Sequence, residues 1–67
     1  MFDEPEQKIL DKILEGKNNS QILTELGLSE ETLEVYLKKL YSKMNVTNRL
    51  QVIIYCYNNN LIPHLLN

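Results

Sequence analysis

Sixty-seven residues make one domain around one core, since domains run from about 50 to 250 residues, so two-domain architectures and large cofactor folds are excluded. The composition, 43% hydrophobic and 24% charged with two Gly and two Pro, is too apolar for a disordered tail and too poor in turn residues for a many-stranded β fold. Seven Lys and Arg against nine Asp and Glu leave a net charge of −2, which argues against a polyanion binder coated evenly in positive charge.

The elements predicted in chain order are all helical. The first spans about residues 4–15: Asp3 and Glu6 have capping-box spacing, Pro5 suits the first turn, and Ile9, Leu10, Ile13 and Leu14 form one apolar stripe that Gly16 ends. A short second helix, about 19–26, is capped by Asn18 or Asn19, with Gln21 at box spacing from Asn18. It turns Ile22, Leu23 and Leu26 inward and closes at Gly27.

Only Leu28 separates Gly27 from Ser29, which caps a third helix over about 30–43, with Leu28 and Leu33 placed as a hydrophobic staple. At 100° per residue Leu33, Leu37, Leu40 and Met44 share one face, and Glu31, Glu34, Val35, Lys38 and Ser42 share the opposite one. A fourth helix covers about 48–60 and ends in consecutive Asn residues. The fold class is therefore all-α, a compact four-helix domain in which a tight Gly-containing turn joins two helices as in a helix-turn-helix.

The fourth helix has more apolar surface than one core needs. Leu50, Ile53, Ile54, Tyr57 and Leu61 read as the core stripe; Val52, Tyr55, Cys56 and Asn59 fall on the other side and read as a homodimer interface. The competing reading folds Pro63, Leu65 and Leu66 back over that second stripe.

The charge is segregated. Through Glu34 the chain holds all nine acids and Lys8, Lys12 and Lys17; after it stand Lys38, Lys39, Lys43 and Arg49 with no acid. A basic surface is thus confined to the second half of the third helix and the start of the fourth. Each of these lysines also reads as a solvated face, and Arg49 as an ion pair with an acid on a neighbouring helix.

No catalytic residue, metal site or cofactor is expected: His64 is the lone histidine, Cys56 the lone cysteine, and neither has partners at a reactive or metal-ligating spacing. One cysteine also excludes an internal disulfide and fits a reducing compartment. The run Val52 to Tyr57 is far shorter than the roughly 20 residues of a membrane span, and the acidic start is unlike a signal peptide, so a cytoplasmic protein without a membrane partner is expected.

The run Glu6, Ile9, Leu10, Gly16, Asn19, Ile22, Leu26, Ser29-Glu30, Thr32-Leu33, Val35, Leu40, Lys43-Met44, Val46 and Asn48-Arg49 resembles the LuxR-type, or GerE-like, helix-turn-helix domain without a gap over residues 2 to about 62. The resemblance implies a DNA-binding transcription regulator whose third helix enters the major groove and whose fourth mediates dimerisation. Expected base-reading residues are Glu34, Val35 and Lys38, with Lys38 suited to guanine and Val35 to a thymine methyl. Expected backbone contacts are Asn19, Ser20, Lys39, Ser42, Lys43, Thr47 and Arg49, with double-stranded DNA as partner.

Two positions depart from the family pattern: Glu34, where a DNA-contacting Lys is usual, and Leu23, where a small residue lets two helices approach. Glu34 and the net acidity favour an alternative, a protein-interaction module that pairs with a related regulator and has lost strong DNA binding.

Overall fold

A computed structural model describes residues 2–61. Among the described residues there are four helices and no strand: α1 (Glu4–Leu14), α2 (Asn19–Leu26), α3 (Glu30–Met44) and α4 (Arg49–Asn58). Pro63, His64, Leu65 and Leu66, and with them the fold-back over α4, lie outside the described residues.

Side chains satisfy the N-terminal N–H groups of the helices, as the sequence foreshadows. The Asp3 N–H donates to Glu6 Oε1 (2.9 Å), and Asn18 and Gln21 exchange reciprocal bonds of 2.8 and 2.9 Å. Ser29 Oγ accepts from the Thr32 N–H, and Asn48 Oδ1 from the Gln51 N–H.

The C-termini repeat one device. Each chain reversal places a residue in the left-handed region, Gly16, Gly27, Asn45 and Asn60, and the next N–H closes back on a carbonyl in the last helical turn. The closures are Lys17 to Lys12, Leu28 to Leu23, Val46 to Tyr41 and Leu61 to Cys56. Leu28, Val46 and Leu61 also pack against the core, so three of the four closures bury an apolar side chain, Lys17 being the exception. Asn45 extends the third helix one residue past its expected end, because asparagine tolerates the left-handed conformation where glycine would be the usual signal.

The core comprises Ile9, Leu10 and Ile13 of α1, Ile22 of α2, Leu33, Leu40 and Met44 of α3, and Val52 and Cys56 of α4. α1 touches all three other helices and α4 packs on both α1 and α3. On α4 the structure corrects the predicted faces. Val52 and Cys56, expected at a dimer interface, are fully buried, and Tyr55 is half-buried against the core. Asn59 is exposed and its side-chain amide donates to the Tyr55 carbonyl of its own helix. Leu50, Ile54 and Tyr57, expected inside, stand outside at 66, 50 and 61% exposure, while Ile53 and Leu61 do pack on the core.

Periodicity identifies two apolar stripes but cannot say which one faces the core. The choice is tertiary: in the rotation adopted, the Arg49 guanidinium donates to the Lys17 carbonyl in the α1–α2 connection. The short side chains of Val52 and Cys56 then meet α1 and α3, where the bulkier Leu50, Ile54 and Tyr57 would hold the helices apart.

Candidate nucleic-acid interface

The helix-turn-helix is built by α2, the Gly27-Leu28-Ser29 turn and α3. Burying Leu33, Leu40 and Met44 leaves the opposite face of α3 in solvent: Glu31, Glu34, Val35, Lys38 and Ser42 are all exposed, Val35 at 52%. The expected base-reading trio of Glu34, Val35 and Lys38 is therefore together on one outward surface. Asn19 and Ser20, in the first turn of α2, are exposed beside it and line the same shallow groove as Glu30, Glu34, Leu23, Leu33 and Leu37. Leu23 is thus taken up as part of the groove between α2 and α3, half-buried, without disturbing either helix.

A helix N-terminus carries partial positive charge from its aligned peptide dipoles and suits an anion, here where Asn19 and Ser20 open to solvent. Against this stand Glu30, Glu31 and Glu34, all exposed at the start of α3. The exposed cations of α3 come in its second half. Lys38 has no ion-pair partner among the described residues, and the Lys39 ammonium lies 5.4 Å from the centroid of the Tyr36 ring.

Three of the expected backbone contacts are already engaged within the domain. The Thr47 N–H and hydroxyl both donate to Gln51 Oε1, at 2.8 and 3.1 Å. Arg49 reaches a backbone carbonyl on the α1–α2 connection, where an acidic side chain was the sequence alternative. The Lys43 ammonium donates to Glu6 Oε1 at 2.6 Å and lies 5.8 Å from the centroid of the Phe2 ring. Glu6, read from sequence as a capping residue and as part of the family pattern, is also the buried partner of a lysine 37 positions away. No local spacing signals a pair so distant in sequence.

The hydrogen bond from Lys43, then the one from the Asp3 N–H, holds the Glu6 carboxyl below its ordinary value, and the same pairing raises Lys43. A second cluster joins α1 to α2: Lys12 lies 2.8 Å from Glu25 and 3.8 Å from Glu15, with Lys17 at 3.6 Å from Glu25. Its hydrogen bond raises Lys12 and lowers Glu25. Among the described residues, no helix is long and apolar enough to cross a membrane, and no three His, Cys, Asp or Glu side chains are grouped to hold a metal ion.

Comparison with known proteins places the sequence. The chain is 37% identical over 62 residues to the probable transcriptional regulator ycf29 of Pyropia yezoensis, covering 92% of this chain and 28% of that protein. It is 35% identical over 57 residues to the transcriptional regulatory protein LiaR of Bacillus subtilis, covering 85% of this chain and 27% of that one. With the response regulator protein VraR of Staphylococcus aureus it shares 32% identity over 62 residues, 92% of this chain and 30% of the relative. The chain thus spans under a third of the length of these curated relatives. No solved structure matches it at a significant level. The family described as bacterial regulatory proteins, luxR family (GerE) matches residues 4–56, which takes in all of α1 to α3 and α4 through Cys56, and the chain belongs to that family.

Proposed function

We propose that this domain is the sequence-specific DNA-binding unit of a cytoplasmic transcription regulator, and that it acts in pairs. The observation that carries this is the outward face of α3, where Val35 and Lys38 stand exposed with Glu34, which lines a groove with Asn19 and Ser20 at the N-terminus of α2, in a chain whose relatives are named as transcriptional regulators. With α3 in the major groove, Lys38 meets guanine O6 or N7, Val35 a thymine methyl, and Glu34 the N4 amino group of cytosine. Lys39, Ser42, Asn19 and Ser20 flank that line toward the phosphates, and Arg49 keeps further N–H donors after its bond to the Lys17 carbonyl.

Pairing uses α4. Its outward stripe of Leu50, Ile54 and Tyr57 is the apolar surface left over once Val52 and Cys56 enter the core, and two copies would read half-sites about one helical turn apart.

Salt titration of binding to duplex DNA tests the reading. With Lys38, Lys39 and Arg49 as phosphate or base cations, log K should fall against log salt with a slope of about −2 to −3 per domain. Lys38→Ala should weaken binding and relax sequence preference. Absence of salt-dependent binding at low ionic strength would refute DNA recognition. It would favour the second reading, a module that pairs with a related regulator, to which the exposed carboxylates Glu30, Glu31 and Glu34 on the same face lend support.

A further inference from the structure

We propose that Glu6 is a positioning residue for DNA binding: it holds Lys43 on the α1 side of α3, so that Lys43 fixes the seat of the recognition helix and contacts no phosphate. The inference rests on the DNA-binding reading above and concerns which cations take part.

Three observations meet here. At 100° per residue, Lys43 lies about 140° round α3 from Lys38 and about 100° from Ser42, but about 80° from Val35 and about 40° from Lys39, with its side chain 38% exposed, so its partner and not its helical position separates it from Lys39. Its ammonium is held between Glu6 Oε1 at 2.6 Å and the Phe2 ring at 5.8 Å, both at the N-terminal end of α1. Glu6 itself is 1% exposed, and its second oxygen, Oε2, is buried with no hydrogen-bond partner among the described residues.

The carboxylate charge therefore depends on Lys43 and the Asp3 N–H. Lys43 has three N–H donors and a 38% exposed side chain, but any move toward a phosphate that breaks the 2.6 Å bond to Glu6 would strand a buried carboxylate, which is more unfavourable than one exposed phosphate contact is favourable. A buried ion pair is also a poor source of net stability compared with an apolar pair of the same size. What it supplies instead is direction: one short bond ties the last turn of α3 to the first turn of α1, and that tie sets the angle at which Glu34, Val35 and Lys38 are presented.

The experiment compares wild type, Lys39→Ala, Lys43→Gln, Glu6→Gln and the Glu6→Gln/Lys43→Gln double variant. Each binds a mixed-sequence duplex of about 20 bp, long enough for two half-sites, at a temperature where every variant used is folded. Lys39→Ala should make the salt slope shallower by about 0.9 per domain, the effect of one lost phosphate contact. Lys43→Gln and Glu6→Gln should each weaken binding several-fold at every salt concentration with the wild-type slope retained, and the double variant should be no weaker than either.

A slope loss of about 0.9 on Lys43→Gln would overturn the proposal, as would undiminished affinity in both single variants. A wild type that binds without salt dependence refutes the DNA-binding reading itself and this proposal with it, an outcome distinct from either. Nuclear magnetic resonance of wild type needs no variant to fold. On saturation with the duplex, the Lys43 Nζ and Glu6 Cδ resonances should stay in place while Lys39 Nζ moves; joint movement of the Lys43 and Glu6 signals would overturn it.

Discussion

The rotation of α4 about its axis can be tested with one pair of alanines. Val52 is fully buried, so Val52→Ala removes two methyl groups from a packed site and should cost about 2 kcal/mol, transfer and cavity terms together. A domain of this size has about 3–9 kcal/mol of stability in total, and each kcal/mol moves the melting temperature by about 4–8 °C, so the midpoint should fall by about 8–16 °C. Ile54 is half exposed, and alanine is the better helix former there, so Ile54→Ala should leave the melt close to wild type.

The same geometry bounds pairing. Leu50, Ile54 and Tyr57 have half to two-thirds of their surface still to bury, about 1 kcal/mol each and about 6 kcal/mol for two copies. The association cost is itself about 4–15 kcal/mol, so the isolated domain should be monomeric at about 50 μM and pair on DNA, where the duplex holds two copies together. Circular-dichroism melts and sedimentation read both quantities. A Val52→Ala melt close to wild type together with a large loss for Ile54→Ala would refute the assigned rotation; a tight dimer unaffected by Ile54→Glu would refute the stripe.

Stability should be greatest between weakly acidic and moderately alkaline pH. Glu6 and Glu25 are held below 4.5 in the folded state, so their contribution is present above about that pH and is lost as pH falls through the lowered values. Lys12 and Lys43 are raised above 10.5, so theirs is lost only as pH climbs past that. Thermal melts of Glu25→Gln should show a flatter acid limb than wild type; an identical limb would refute the α1–α2 ion-pair assignment.

Gly27→Ala should cost about 1–2 kcal/mol in a urea titration, purely for the left-handed backbone, since an added Cβ meets nothing within 4 Å; a neutral result would show that the turn relaxes. Glu34→Lys should tighten duplex binding and steepen the salt slope by about 0.9 per domain, and an unchanged slope would place Glu34 away from the DNA.

The sequence alone was enough for the four helices and for their ends to within one or two residues, α4 ending at Asn58 and not at residue 60, because these depend on neighbours within a few residues. Asn18 with Gln21, Ser29 before Glu30, and Gly16 and Gly27 after apolar stripes all act locally, and each appears where the spacing puts it. The outward face of α3 was equally legible, since Leu33, Leu40 and Met44 form a single apolar stripe and so leave one choice of what is exposed. Asn45 was less so, being one of several residues able to end a helix without glycine.

What only the tertiary structure decided lies where local pattern is degenerate or contact is distant. α4 offers two apolar stripes, and the packing of the small Val52 and Cys56 side chains into the core shared with α1 and α3 selects between them. Lys43 belongs by charge to the basic second half of the chain, yet its ammonium is claimed by Glu6 across 37 positions. Net charge and its distribution along the chain follow from the residues themselves; which cations remain available to a ligand depends on which acids folding brings within about 3 Å of them.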